Sequence, residues 1–165
     1  MRSGHEVAGS VALRAADRED CRLLWELRND PETRAASFNT EPIPYEEHRR
    51  WFEAKGASPE IRIFIVQDPS GRGIGYVRFH LERETAEVSV SLSPGARGQG
   101  YGTAALRMAA DRLLSENPGL QVIAYLKPTN PASERAFQRA GFVLQGRSQV
   151  HGVEVIRMVF GGRAR

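Results

Sequence analysis

The chain has 165 residues, enough for one domain with its own core, and its 41% hydrophobic and 26% charged residues are ordinary globular proportions. A net charge of +3 suits an anionic cofactor or substrate, but the basic residues are dispersed and no aromatic strip accompanies them, which excludes a nucleic-acid surface. The one cysteine, Cys21, excludes a disulfide framework and a Cys-based metal cluster, and no apolar run reaches the roughly eighteen residues of a membrane span; no metal site and a cytoplasmic location are expected.

Residues 1–10 are polar and Gly-rich and read as a disordered start. Val11 to Ala15 reads as a first strand. Asp17, with Asp20 three residues on, caps a helix carrying Leu23, Leu24 and Leu27. Cys21 falls in that amphipathic pattern and is expected in the core. Asp30-Pro31 ends the helix, and Phe38 to Pro44 is a loop. Tyr45 to Lys55 forms a second helix stopped by Gly56. Arg62 to Gln67 is an apolar strand followed by the turn Asp68-Pro69-Ser70-Gly71. Gly75 to Leu81 and Ala86 to Leu92 alternate as half-buried strands do. Gly102 to Ser115 is a helix with Leu106, Ala109, Ala110 and Leu113 on one stripe. Gln121 to Leu126 is a buried strand, a helix opens at Asn130, and strands over about Val143 to Val150 and Val153 to Phe160 close the chain. No linker divides residues 11–160, so one domain is expected there, with residues 161–165 as a tail.

Two segments carry chemistry. Ser93-Pro94-Gly95-Ala96-Arg97-Gly98-Gln99-Gly100-Tyr101-Gly102-Thr103 lies between a strand and a helix. Its glycines let a ligand approach the backbone, the helix start offers unpaired N–H groups, and Arg97 adds a guanidinium suited to phosphate. The run lacks the Gly-Lys-Ser/Thr ending of a P-loop and the position and spacing of a dinucleotide fingerprint. Asn130 to Phe142 forms a complete helix unit: Asn130 as N-cap, Pro131 at the first position, alanines at 132, 136 and 140, and Gly141 as the left-handed cap.

The Arg-x-x-Gly-x-Gly run resembles the acyl-CoA pyrophosphate loop of the GNAT N-acetyltransferase superfamily, and the Asn130 unit resembles that family's final motif. The resemblance covers Val11 to Phe160. It implies a mixed, mostly antiparallel sheet of six to seven strands flanked by about four helices, with the strands around the cradle helix splaying apart. It implies acetyl-CoA as cosubstrate, held by Leu92, Arg97, Gly98, Gln99, Gly100, Tyr101, Gly102, Thr103, Asn130 and Phe137. A family bulge carried over to Ser91 and Leu92 would leave N–H groups for an oxyanion. Glu87, on the same strand as Ser89 and Ser91, is the expected proton acceptor. His80 competes for that role and is placed, with Arg28 and Asn39, among the substrate contacts. Phe137 stands where many members carry a proton-donating tyrosine, so the thiolate would leave without that acid. Arg135 or Arg139 could reach the adenosine phosphates.

The front half sets the acceptor. Trp25 to Arg34, Ser37-Phe38-Asn39 and Glu47 to Phe52 resemble acetyltransferases of bacterial sugar-nucleotide pathways. The expected partner is a small-molecule amine, the amino group of a nucleotide-linked sugar, with neither nucleic acid nor membrane; a homodimer stays open. Ribosomal-protein N-terminal acetyltransferases share a similar front half, and a non-catalytic acyl-CoA sensor is the third reading. Trp25 and Phe52 are expected to pack beneath the two helices rather than touch substrate.

Overall fold

In the computed structural model, residues 10–161 are described, and the expectations for the two chain ends fall largely outside them. Seven strands form one sheet in the order β1-β2-β3-β4-β5-β7-β6. They are β1 (Ala12–Ala15), β2 (Ile61–Gln67), β3 (Gly73–Glu82), β4 (Thr85–Leu92), β5 (Gln121–Leu126), β6 (Phe142–Val150) and β7 (Val153–Phe160). All neighbours are antiparallel except β4 and β5. This is the expected sheet.

The helices are α1 (Cys21–Asn29), α2 (Pro31–Ala36), α3 (Tyr45–Lys55), α4 (Tyr101–Glu116) and α5 (Pro131–Ala140). The expected four become five because Asp30-Pro31 both stops α1 and starts α2. The Asp30 carboxylate accepts from the N–H groups of Glu32 and Thr33 at 3.2 and 3.1 Å, and Pro31 takes the first position, where no N–H is needed. The other caps act as expected. Asp17 and Asp20 close a capping box ahead of α1, Asn130 Oδ1 accepts from Ser133 N–H at 3.2 Å, and Gly141 is left-handed at φ 110°.

The two faces of the sheet bury different sets. Phe64, Val77, Phe79, Val88 and Val122 pack on Leu106, Ala109 and Leu113 of α4 and on Phe137 and Ala140 of α5. Ile63, Ile65 and Tyr76 meet Leu24 and Leu27 of α1 and Phe52 of α3 on the opposite face, where Cys21 is also buried. Leu106 and Leu113 are fully buried, and each such side chain contributes roughly 1.5–3 kcal/mol. Past Tyr76 the second face turns polar, because Arg78 stands opposite Ser89 and His80 opposite Glu87 in the β3–β4 ladder.

Candidate active site

β4 and β5 are paired only from Thr85–Gln121 to Glu87–Ile123. Beyond that they part while β4 runs on to Leu92 and β5 to Leu126, which opens a notch in the middle of the sheet. A cleft of about 720 Å³ passes through it, lined by the second half of β4, the loop after β4, the start of α4, and α5.

The backbone of β4 decides what the notch offers. Ser93 N–H bonds the Ile74 carbonyl at 2.8 Å, on the β3 side. Alternation along the strand turns Ser91 N–H the same way and Leu92 and Val90 N–H the other way, into the notch. The β3–β4 register runs unbroken from Glu82–Thr85 to Gly75–Leu92. The bulge expected at Ser91 and Leu92 is therefore not there; the free N–H groups come from the loss of β5 as a partner. Of the two residues expected to supply them, Ser91 is a ladder residue opposite Tyr76. Its buried hydroxyl lies 3.0 Å from Thr33 Oγ1 and 3.4 Å from the Leu27 carbonyl, tying β4 to α1 and α2.

A residue not singled out in the sequence fixes this strand end. A Cβ on Gly75 would lie 2.4 Å from the Ser91 carbonyl oxygen and 2.6 Å from Leu92 Cδ2. Only a bare backbone lets β3 come this close beside Leu92. The Gly73-Ile74-Gly75 spacing within a strand pattern was the signal for such an approach.

The cradle follows. Gly98 and Gly100 sit at φ 75° and 81°, so the loop reverses through left-handed backbone that side chains rarely adopt. The first backbone bond of α4 runs from Ala104 N–H to the Gly100 carbonyl, which leaves the N–H groups of Tyr101, Gly102 and Thr103 without helical partners. These donors suit a diphosphate, so the cradle fits the CoA group that the sequence implies. Gln99 folds back, its Nε2 donating to the Gly95 carbonyl at 2.9 Å, and Thr103 Oγ1 donates to the Ala136 carbonyl at 3.4 Å.

Arg97, expected at the cofactor phosphates, is held against α2. Its guanidinium donates to Asp30 at 2.6 Å, to Glu32, and to Thr33 Oγ1 at 3.4 Å. The bond from Arg97 holds the Asp30 carboxyl below the usual carboxylate range. Arg97 thus joins the cradle to α2, the helix that the sequence concealed.

On α5, Asn130 lines the cleft; it spends Oδ1 on the cap, while Nδ2 has no hydrogen-bond partner among the described residues. Phe137 is 2% exposed and stands edge-on to Phe142 with ring centroids 5.0 Å apart. It forms cleft wall and core together. Arg135 and Arg139 are exposed at the cleft edge.

The acceptor side is built by β3, β4 and the front helices. Glu87 is half-buried and faces the cleft, with His80 exposed beside it on β3. Asn39 is an exposed loop residue whose Oδ1 accepts from Glu41 N–H at 3.1 Å. Arg34 is spent on the loop, donating to the Asn29 and Thr40 carbonyls at 3.1 and 3.2 Å. Arg28 is spent only in part: Nη2 donates to the Asn39 carbonyl at 3.3 Å, while Nη1 is buried without a partner. Burial, with repulsion from Arg78 and Arg34, pulls the Arg28 guanidinium down from its usual value. Arg78 lies over the Trp51 ring at 5.7 Å. Among the described residues, no carboxylate forms a salt bridge with Arg28 or Arg78. Trp25 packs as expected, edge-on to Tyr45 with Nε1 donating to the Ile43 carbonyl at 2.7 Å, and Phe52 is in the core. The described residues hold no cluster suited to a metal, and none of their helices is long and apolar enough to cross a membrane.

Comparison with known proteins agrees with this geometry. The family described as acetyltransferase (GNAT) domain matches residues 10–143. A phosphinothricin N-acetyltransferase of Streptomyces coelicolor is 30% identical over 141 residues, covering 80% of this chain and 81% of its own. A putative phosphinothricin acetyltransferase of Bacillus subtilis, YwnH, is 25% identical over 144 residues, covering 82% and 86%. Among solved structures, AAC(6')-Ib in complex with paromomycin and acetyl-CoA superposes with a TM-score of 0.79 at 20% identity, covering 92% of this chain and 93% of that one. Spermidine N-acetyltransferase from Vibrio cholerae, in complex with CoA and spermine, gives 0.79 at 23% identity, covering 91% and 94%. The chain belongs to the GNAT acetyltransferase family and is an acetyl-CoA-dependent N-acetyltransferase.

Proposed function

We propose that this enzyme acetylates the primary amine of a small acceptor that carries an acidic group. The observation behind this reading is the charge of the cleft. Outside the cofactor half, Arg28, Arg78 and Lys127 line it against Glu87, while the other lining carboxylate, Glu32, is paired to Arg97. Such a field draws in anions and opposes polyamines or aminoglycosides. Two acceptor classes suit it. One is the nucleotide-linked amino sugar that the front-half motifs imply. The other is a small acidic amino acid such as phosphinothricin, the acceptor in the names of two relatives.

Bound acetyl-CoA supplies an activated acetyl thioester. The cradle donors at Tyr101, Gly102 and Thr103 would hold its diphosphate, and Asn130 Nδ2 its pantetheine arm. Leu92 N–H, turned into the notch, is the donor available to the acetyl oxygen. Glu87 takes the proton of the acceptor amine, directly or through water, and returns it to solvent at the cleft mouth. Phe137 has no proton to give, so the sulfur leaves as thiolate, which a pKa near 8.5 permits.

Thiol release from acetyl-CoA tests this with phosphinothricin, a UDP-linked amino sugar, a peptide with a free N-terminus, and spermidine. Turnover with either acidic amine is expected. Turnover confined to spermidine or the peptide overturns the acceptor class, and release with none of them overturns this function.

A further inference from the structure

Beside the main cleft lies a second chamber of about 280 Å³. Arg28, Tyr76 and Arg78 line both spaces and form the wall between them. Leu24, Ile43, Trp51 and Ile63 make most of the remaining surface apolar. The chamber is braced on its loop side: Ile43 N–H donates to Asn29 Oδ1 at 2.6 Å, and the Ile43 carbonyl accepts from Asn29 Nδ2 at 3.1 Å and Trp25 Nε1 at 2.7 Å.

Two guanidiniums share this wall. One has a buried nitrogen without a hydrogen-bond partner, and the other rests on a tryptophan ring. A buried donor left unpaired is costly, and like charges brought together add to that cost. Glu47, the one carboxylate lining the chamber, is exposed and forms no salt bridge among the described residues. His48 sits with Nε2 3.1 Å from the Cys21 carbonyl, and burial favours its neutral form, so it adds no third positive charge beside the two guanidiniums. An anion placed between Arg28 and Arg78 would supply what both lack. The register places the Arg78 backbone beside the acceptor stretch of β4. Arg78 stands opposite Ser89, midway along β4 between Glu87 and Ser91 and about one strand spacing, roughly 4.8 Å, away.

We infer that the Arg28–Arg78 wall is the acceptor's acid-binding subsite, and that the chamber behind it takes the body of the acid-bearing group. This rests on the transferase reading above. At about 280 Å³ the chamber is at the small end of ligand sites, so it admits the compact end of an acid such as phosphinothricin, whereas a nucleotide-linked sugar would set its diphosphate at the wall and leave its nucleoside in the main cleft. Carboxylate, phosphinate and phosphate share the needed chemistry, and the test separates them.

Titration calorimetry on the CoA-bound protein would compare phosphinothricin with its acid-masked methyl esters, and a UDP-linked amino sugar with the free amino sugar. Masking or removing the acid should weaken binding at least about tenfold for the natural acceptor class, the range of a lost charge-assisted hydrogen bond. In Arg28→Met and Arg78→Met that discrimination should shrink to about threefold or less. Ile43→Trp, which fills the chamber from the loop side, should weaken the acid while sparing CoA affinity, and it decides the matter if an arginine variant does not fold. Equal binding of acid and masked forms, or undiminished discrimination in the arginine variants, overturns the subsite. Acid-selective binding without thiol release would instead overturn the transferase reading and leave the subsite standing.

Discussion

Gly102→Ala separates a cradle from a turn, because the two predict opposite signs. Gly102 lies in the first turn of α4 with helical backbone, unlike Gly98 and Gly100. A Cβ there would meet only Leu92 Cδ1, at 3.4 Å, an ordinary contact. The fold has no use for the glycine, and alanine in a helix is favoured by roughly 0.5–1 kcal/mol. For a domain of this size that raises Tm by about 1–4 °C. A ligand diphosphate seated on the N–H groups of Tyr101, Gly102 and Thr103 would meet the added methyl. Acetyl-CoA affinity should fall at least about tenfold, or 1.4 kcal/mol. Calorimetry with acetyl-CoA, run beside a thermal melt, reads both. A raised Tm with unchanged affinity would refute the cradle. The contrast is Gly98→Ala, which has open space for its Cβ but φ 75°, and should lose stability by about 1 kcal/mol from backbone strain alone.

Other outcomes follow from the same geometry. Glu87→Gln should lower kcat/KM by about tenfold or more near pH 6.5, with the loss shrinking as the acceptor amine deprotonates unaided and with acetyl-CoA affinity unchanged; an unaltered pH–rate profile removes Glu87 from the proton path. Gly75→Ala should both destabilise the fold and cut kcat, since its Cβ drives against the Ser91 carbonyl and Leu92; an active, stable variant contradicts the account of the β4 end. Phe137→Ala should cost about 3–5 kcal/mol through the cavity left beside Phe142, whereas Phe137→Tyr should not raise kcat; a severalfold rise would show that the leaving thiolate waits for a proton. Asp20 accepts from Arg14 at 2.7 and 2.8 Å and from Asp17 N–H at 2.8 Å, and the Arg14 bond holds its pKa below the ordinary carboxylate value. That stabilisation is present above the unfolded carboxylate's pKa of about 3.9 and is lost as pH falls through the folded one. Asp20→Asn should therefore be less stable at neutral pH and show a shallower loss of Tm below about pH 4.

What was legible in the sequence was local. The helix boundaries at Asp17, Gly56, Asn130 and Gly141, and the strands with period-two patterning, depend on neighbours within a few residues, so their signals survive in the chain order. Asp30-Pro31 was legible as well, but its two meanings compete: the pair that cannot continue one helix is well suited to begin the next. The partners of Arg97 could not be read. Asp30 and Glu32 lie more than sixty residues away, and only the fold brings α2 against the loop after β4. The expected bulge at Ser91 and Leu92 failed for a related reason. A missing neighbour strand leaves N–H groups free as effectively as a bulge does, and pairing between strands is a property of the sheet. Arg28 and Arg78 show the same limit: each reads as an ordinary arginine until α1 and β3 meet and no carboxylate among the described residues pairs with them.

Acetyl transfer to an acidic amine in the β4–β5 notch is read out by product analysis by mass spectrometry after incubation of the enzyme with acetyl-CoA and phosphinothricin, and in parallel with a UDP-linked amino sugar. One acetyl group on the acceptor nitrogen for each free thiol released is expected, with one of the two acceptors. CoA binding with neither acceptor acetylated, or an acetyl group found only on spermidine or a peptide, would contradict it.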